Sequence, residues 1–288
     1  MTTSAALSSE IQGKSHQAAP FVKWAGGKGR LLSQLRPLLP PGVARMRHVE
    51  PFVGGGALFF SRRPPRALLT DVNPALVETY RAIREDVGRV VEALEELAER
   101  HCKERYYQVR ESYNRKTRLA APRRAAMFIY LNKTCFNGLH RVNRKGEFNV
   151  PCGSYKKPRI LNEEGLKEAS RVLQAAELQC ASFESLLEHA KPGDFIYFDP
   201  PYEPVSPTAS FTSYSQDGFS REDQTRLSEV FGALDRRGCK LMLSNSDVPF
   251  IRNLYRHFQV DTVAAPRAIN CNAAKRGKVT EVVVRNYR

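Results

Sequence analysis

The feature that most constrains the fold is the stretch at 193–202, Gly-Asp-Phe-Ile-Tyr-Phe-Asp-Pro-Pro-Tyr. Its apolar half is typical of a buried strand, and the strand must end at Asp199 because the two prolines that follow cannot donate a sheet hydrogen bond. Asp199 therefore lies at the carboxyl edge of a sheet, where open α/β sheets bind ligands. Since Pro200 has no N–H, the turn offers acceptors beside the ring of Tyr202. This combination fits a planar group that carries an amino donor, although an ordinary proline-rich turn has the same spacing.

A glycine-rich turn precedes this stretch. After a short strand near residue 48, the run Glu-Pro-Phe-Val-Gly-Gly-Gly places Gly54, Gly55 and Gly56 before a helix, so a ligand can lie against bare backbone near free N–H groups. The next strand, 67–70, ends at Asp71, and an acid at such a position accepts ribose hydroxyls in nucleotide-binding sheets. The pair predicts a nucleoside site. Alternatively, Asp71 and Asn73 only cap the helix that follows Pro74.

The folded part opens with Phe-Val-Lys-Trp-Ala-Gly-Gly-Lys at 21–28, followed by an amphipathic helix around 31–38. The glycines and Lys28 resemble a phosphate-binding loop, but the Walker pattern needs Ser or Thr after the lysine and Gly29 stands there. A nucleoside triphosphatase is therefore not expected. Trp24, the only tryptophan, would in the simplest interpretation anchor the core.

The charge distribution predicts a polyanionic partner. The net charge is +15, and the segment 103–159 holds 15 Lys or Arg residues against three acids. Aromatic residues are interleaved with these charges, a pattern that favours nucleic acid over a merely solvated basic face. They include Tyr106, Tyr107, Tyr113, Tyr130, Phe136, Phe148 and Tyr155.

The remaining pattern predicts a mostly parallel α/β sheet with helices on both faces, interrupted after its second strand by the basic segment. Helices are predicted at 75–100, 161–174 and 221–237, the last capped by Ser220 and Asp223. Further strands are predicted at 177–181 and 240–245, with an antiparallel closing pair at 258–263 and 280–286. Within the basic segment, 141–150 reads as two short strands around Gly146, a hairpin that can enter a major groove.

The rest of the composition excludes several classes of protein. Residues 1–19 lack an apolar core and read as a flexible tail, and no apolar run is long enough for a membrane span, so we expect a cytoplasmic protein. Six cysteines lie far apart with no Cys-x-x-Cys pair, which argues against a zinc site and a disulfide framework. We expect no metal.

Together these motifs resemble the DNA adenine-N6 methyltransferases of the Dam type, over residues 20–288 and in one fixed order. Asp-Pro-Pro-Tyr, the two glycine stretches, Phe-Thr-Ser-Tyr-Ser at 211–215 and the closing segment 281–287 carry the resemblance. It implies a Rossmann-like S-adenosylmethionine-dependent methyltransferase sheet with an inserted helical and β-hairpin DNA-recognition domain. The implied domains are two catalytic parts, 20–73 and 166–288, around a target-recognition insertion at 74–165.

The resemblance also implies residue roles. S-adenosyl-L-methionine would be bound by Trp24, Lys28, Asp71 and Asp199, with its methionine part against Gly54, Gly55 and Gly56 and its adenine near Phe183. The family often has an acid before that phenylalanine, and Ser182 in its place affects the expected cofactor affinity. Double-stranded DNA would be contacted by a monomer through Lys23, Arg123, Arg124, Asn137, Leu139 and Arg141.

In the implied reaction, Asp199 and the Pro200 carbonyl accept both N–H bonds of a flipped-out adenine amino group, while Tyr202 stacks on the base. Neither a metal nor a general base is required. The segment 137–151 resembles enzymes that recognise GATC. Methylation of cytosine N4 or of RNA, and a catalytically silent DNA-binding protein, are the alternatives.

Overall fold

The computed structural model describes residues 18–115, 118–205, 219–265 and 279–288. Most of the predicted tail, the motif at 211–215 and Cys271 lie outside these ranges. The strands are β1 (His48–Glu50), β2 (Ala67–Asp71), β3 (Ala176–Cys180), β4 (Phe195–Phe198), β5 (Lys240–Ser246), β6 (Gln259–Ala265) and β7 (Val279–Arg285). The α-helices are α1 (Leu32–Leu35), α2 (Ala57–Arg62), α3 (Pro74–Glu99), α4 (Lys103–Asn114), α5 (Ala121–Thr134), α6 (Glu163–Leu173), α7 (Leu186–His189), α8 (Arg221–Arg236) and α9 (Pro249–Leu254).

The seven strands form one sheet in the order β3-β2-β1-β4-β5-β7-β6. Strands β3, β2, β1, β4 and β5 are parallel to one another. Strand β7 is antiparallel to both β5 and β6, and its pairing with β6 confirms the predicted antiparallel closing pair. The chain runs outward from β1 to β2 and β3, then returns to place β4 on the other side of β1. The strand order therefore reverses between β1 and β4, and ligands bind in open α/β sheets at the carboxyl ends of strands beside such a reversal.

Strand β4 shows why the sheet is covered on both faces. All four of its residues are buried. Ile196 and Phe198 belong to a core cluster with helices α7 to α9, whereas Phe195 and Tyr197 pack on the opposite face with residues near α1 and α2. A continuous apolar strand of this kind is the expected signature of a parallel strand between two helical layers.

The basic segment contains helices α4 and α5, which follow α3 in the chain and precede β3. Helix α5 packs against both α3 and α4. Most of its aromatic residues are not available for bases, because Tyr106, Tyr113, Tyr130 and Phe148 are buried in the core. The interpretation of these four residues as nucleic-acid contacts is therefore wrong. Phe136 and Tyr155 are exposed, at 51% and 38%.

The predicted hairpin at 141–150 turns back as expected, with Gly146 at φ +77°, but it carries one isolated bridge, Val142 to Phe148, in place of two regular strands. Side chains take over the backbone partners that a second strand would supply. Asn114 accepts a hydrogen bond from the Phe148 N–H at 2.8 Å and donates one to its carbonyl at 2.9 Å. The segment is thus a loop pinned to the end of α4.

Candidate active site

A cleft of about 2500 Å³ opens along the carboxyl edge of the sheet, between the sheet and the inserted helices. It brings together nearly all the residues selected from the sequence. Those lining it are Lys23, Trp24, Lys28, Gly54, Gly55, Gly56, Asp71, Arg124, Asn137, Leu139, Phe183, Asp199, Pro200 and Tyr202. Arg123 and Arg141 do not line it. Six cationic residues that the motif analysis did not select also line it: Arg30, Arg81, Arg115, Arg118, Lys145 and Arg226.

Asp199 follows β4 directly, and its carboxylate is held by one cation. Lys28 Nζ lies 2.7 Å from Asp199 Oδ1, and that oxygen has no other donor among the residues that the structure describes. Burial raises the pKa of Asp199 to about 6, because the effect of burial exceeds the opposing effect of Lys28. Asp199 is therefore mainly ionised at neutral pH.

The turn after Asp199 is fixed by a buried polar network that sequence analysis missed. Gln224 Nε2 donates to the Pro201 carbonyl at 2.9 Å, and Asn245 Nδ2 donates to Gln224 Oε1 at 3.0 Å. Asn245 Oδ1 accepts from the Glu203 N–H at 3.1 Å. Gln224 and Asn245 are fully buried. Since a satisfied buried network has few alternative arrangements, it holds the turn rigid.

The Pro200 carbonyl, in contrast, accepts no hydrogen bond from the described residues. The ring of Tyr202 is also held in place. Its hydroxyl donates to Glu281 at 2.7 Å, and Lys28 Nζ lies 4.5 Å from the ring centre. The turn thus offers a carboxylate, an unpaired carbonyl and a fixed ring. Together they can hold a planar molecule that carries an amino group.

The glycine turn and Asp71 form a second acceptor cluster. Asp71 accepts hydrogen bonds from the N–H groups of Gly54 at 3.1 Å and Asn73 at 3.0 Å. Burial nevertheless raises the pKa of its carboxyl. Trp24 packs on Gly54 so closely that a Cβ there would lie 2.6 Å from the indole ring. Asn73 also caps α3, as the alternative interpretation predicted, so this region both caps a helix and faces the cleft.

Phe183 forms one end of the cleft. Its ring stacks on Phe52 at 5.6 Å, and Phe219 packs edge-on against both rings. The neighbouring Ser182 donates a hydrogen bond to Glu184, which also lines the cleft. An acid is therefore present here, two positions later than the motif led us to expect.

Three residues predicted to contact DNA, Asn137, Leu139 and Arg141, lie in the segment that follows α5, residues 136–141, which we call the recognition loop. Asn137 is exposed and has a left-handed backbone, φ +54°. Arg141 is exposed, and its Nε donates to Asn149 Oδ1 at 2.8 Å. Lys23 lies against the same loop, with its Nζ 4.0 Å from the centre of the Tyr155 ring.

The two arginines selected on α5 differ in their surroundings. Arg123 forms a two-pronged ion pair with Glu96, at 2.6 and 3.2 Å. Arg124 faces the cleft over the ring of Tyr113, and its nearest acid, Glu78, is 3.9 Å away. A paired guanidinium has less charge to offer a phosphate, so Arg124 is the stronger of the two DNA-binding candidates.

Comparison with known proteins agrees with this site. A family model described as D12 class N6 adenine-specific DNA methyltransferase matches residues 24–269. The chain belongs to this family. A D12 enzyme methylates the N6 atom of adenine in DNA, and the cationic residues along the cleft suit such a polyanionic substrate.

Three relatives of this D12 chain align with it over nearly its full length. The Type II methyltransferase M.MjaIII of Methanocaldococcus jannaschii is 43% identical, over 94% of this chain and 100% of its own. The Type II methyltransferase M1.LlaDCHI of Lactococcus lactis subsp. cremoris is 41% identical, over 93% and 95%. The DNA adenine methylase of Escherichia coli K12 is 38% identical, over 91% and 93%. Among the described residues, no helix combines the length and apolarity that a bilayer span requires.

Proposed function

We propose that this D12 enzyme transfers a methyl group from S-adenosyl-L-methionine to a flipped-out adenine within GATC in double-stranded DNA. The observation that carries the proposal is the Asp199 turn, where a carboxylate held by Lys28 and an unpaired Pro200 carbonyl lie beside the ring of Tyr202. The turn is at the mouth of a cleft large enough for a nucleoside cofactor and a base together.

The donor set fits S-adenosylmethionine. Asp71 is a buried acceptor at a strand end, which suits ribose hydroxyls, and the cluster around Phe183 suits an adenine ring. Gly54 and Gly55 line the cleft with backbone that carries no side chain, which suits the methionine part, and Trp24 lies beside them. Glu184, bonded to Ser182, would provide the acid that the family often has before the phenylalanine. The cofactor supplies an electrophilic methyl group on sulfur.

The protein's own contribution to the reaction is to make an adenine amino group nucleophilic. Its nitrogen is a poor nucleophile while its lone pair is delocalised into the ring. If Asp199 and the Pro200 carbonyl each accept one N–H bond, the nitrogen becomes pyramidal and its lone pair turns toward the methyl group. Tyr202, held by Glu281, would stack on the base. Because Gln224 and Asn245 fix the turn, these acceptors need little reorganisation.

Sequence specificity is assigned to the recognition loop. Asn149 orients Arg141 through Nε, and Nη1 makes no hydrogen bond to a described residue. A guanidinium held in this way can bind O6 and N7 of a guanine, which discriminates between bases by about 1–3 kcal/mol. The resemblance of the 137–151 segment to enzymes that recognise GATC supports that site.

The testing experiment is transfer of labelled methyl groups from S-adenosylmethionine to GATC and scrambled duplexes. We expect label at adenine N6 of GATC only. Asp199→Ala should abolish transfer but keep duplex binding, whereas Asp261→Ala, at the far edge of the sheet, should retain transfer. Label on cytosine N4 or on RNA would establish the alternative substrates, and binding without transfer would identify a silent DNA-binding protein.

Arg141→Ala tests the specificity step. It should lower methylation of GATC far more than methylation of sites altered at one outer base pair, so that the ratio of the two rates approaches one. Lysine at 141 should restore little because it lacks the planar fork. Arg144→Ala is the matched control, an exposed cation three residues away in the 141–150 segment. Equal losses at cognate and altered sites would mean that Arg141 only contacts phosphate.

A further inference from the structure

His140 lies inside the recognition loop but faces the cofactor side of the cleft. Its ring stacks on Trp24, with the ring centres 5.6 Å apart and an angle of 24°. Its Nδ1 is 3.3 Å from Asn73 Nδ2. One side chain between two residues assigned to DNA reading, Leu139 and Arg141, thus contacts Trp24 of the proposed cofactor site and Asn73, whose N–H donates to Asp71 of that site.

The protonation of His140 follows from its partner. Asn73 Oδ1 accepts a hydrogen bond from the Leu76 N–H at the start of α3, so the amide nitrogen of Asn73 faces His140 as a donor. Nδ1 must therefore accept, which requires that it carry no proton. Burial among Trp24 and Phe128 lowers the pKa of His140 to about 4, consistent with a neutral ring.

A second connection joins the same two regions. Asn132, buried on α5, accepts from the Lys23 N–H at 2.7 Å and donates to the Lys23 carbonyl at 2.8 Å. The same amide donates to the Gly138 carbonyl at 3.0 Å. Gly138 lies so close to the Lys23 side chain that a Cβ there would be 2.4 Å from it. The recognition loop and the Trp24 segment therefore cannot shift independently.

We propose that His140 is a positioning residue that couples recognition of the DNA site to binding of the methyl donor. Its bond to Asn73 and its stack on Trp24 transmit a displacement of the recognition loop to the proposed cofactor site. They also transmit a displacement of the proposed cofactor site to the recognition loop. The proposal rests on the proposed function, because it needs both ligands. By linkage, each ligand must then raise the affinity for the other by the same factor.

The experiment measures that factor. The dissociation constant of S-adenosylhomocysteine, which cannot react, is determined by equilibrium dialysis without DNA, with a GATC duplex and with a scrambled duplex. In the unmodified protein the GATC duplex should tighten binding by at least about fivefold and the scrambled duplex by less, a size typical of coupling between sites.

Two substitutions break the same bond from opposite ends. His140→Phe keeps a ring on Trp24 but removes the acceptor. Asn73→Ser keeps a capping oxygen but replaces the amide donor by a hydroxyl on a side chain that is one atom shorter and does not reach His140. Each should reduce the coupling factor by at least half. The double variant should lose no more than either single variant, since one bond cannot be lost twice. His101→Phe, which breaks a similar histidine contact with Tyr130, is the matched control and should leave the factor unchanged.

The outcomes are separable. A purely structural role for His140 would lower the melting temperature in both variants while leaving the coupling factor at its original value, and that result would overturn the proposal. The proposal would also be overturned if the unmodified protein bound both S-adenosylhomocysteine and the GATC duplex but showed a coupling factor of one. A protein that binds neither probe would instead refute the proposed function.

Discussion

Alanine substitutions at three consecutive glycines should have three different effects, because the glycines face different surroundings. Gly54 and Gly56 have positive φ, +46° and +65°, whereas Gly55 does not. A Cβ at Gly55 would meet nothing closer than 3.6 Å. At Gly54 it would lie 2.6 Å from Trp24, and at Gly56 it would lie 2.9 Å from the Tyr80 hydroxyl.

The expected magnitudes follow from these contacts. Alanine in the left-handed region costs about 1–2 kcal/mol, and overpacking adds about 1–3 kcal/mol. Gly54→Ala and Gly56→Ala therefore each carry about 2–5 kcal/mol of strain. Tyr80 is buried and cannot move away, so the cost at Gly56 should appear in the free energy of unfolding. Trp24 is only partly buried and can move, so the cost at Gly54 should appear mainly as a displaced indole.

Two assays separate these outcomes. Urea unfolding should show a large loss of stability for Gly56→Ala and a loss of under about 0.5 kcal/mol for Gly55→Ala. Equilibrium dialysis with S-adenosylhomocysteine should show at least about tenfold weaker binding for Gly54→Ala, corresponding to about 1.4 kcal/mol. The emission of Trp24, the only tryptophan, should shift in that variant. If Gly54→Ala bound as tightly as the unmodified protein with unchanged emission, the assignment of Trp24 to the cofactor site would be refuted.

Three further outcomes are expected. In the protein without substrate the pKa of Asp199 is raised to about 6, and the reaction needs the carboxylate as acceptor, so kcat/KM should fall as the pH drops through about 6. Because Lys28 lowers this pKa, Lys28→Met should move the fall in kcat/KM to higher pH. A pH profile that the substitution leaves unchanged would contradict the pairing of Lys28 with Asp199. Asn245→Ala leaves the buried N–H groups of Glu203 and Ser246 unsatisfied, at a cost of about 1–3 kcal/mol each, so urea unfolding should show reduced stability. Single-turnover rates should fall as well, and an unchanged rate would mean that the network does not hold the turn. Arg124→Gln should flatten the dependence of duplex affinity on salt more than Arg123→Gln does, since only Arg123 has a close acidic partner. Slopes equal to that of the unmodified protein in both variants would place both arginines off the DNA.

The sheet was predictable from the sequence because its strand ends are marked by residues that cannot continue a strand. Asp199 is followed by two prolines, and Asp71 ends β2 just before the Pro74 start of α3. Ser220 and Asp223 form the capping box expected for α8. In each case a local backbone requirement selects the residue type, so the signal lies within a few positions of the feature.

The inserted helices and the supporting network were not predictable in the same way. Helix α5 is buried continuously from Ala125 to Asn132, so it lacks the polar face that reveals a helix by its period. The bond between Gln224 and Asn245 joins residues on α8 and β5, and no local pattern marks it. Tyr106 and Tyr113 are interleaved with basic residues in the sequence, but tertiary packing buries them.

The position of the insertion in the sheet has an evolutionary consequence. It leaves from β2 and returns to β3, which are neighbouring parallel strands paired from Ala67 with Ala176 to Asp71 with Cys180. Parallel neighbours need a long crossover in any case, and the entropy of closing a connection grows only slowly with its length. Natural selection can therefore lengthen, shorten or exchange this crossover with little effect on the strands that carry Asp71 and Asp199. If the crossover reads the target, as proposed, new target sequences become accessible by replacing one contiguous piece of gene, provided that the contacts of Asn132 and His140 with the Trp24 segment are kept.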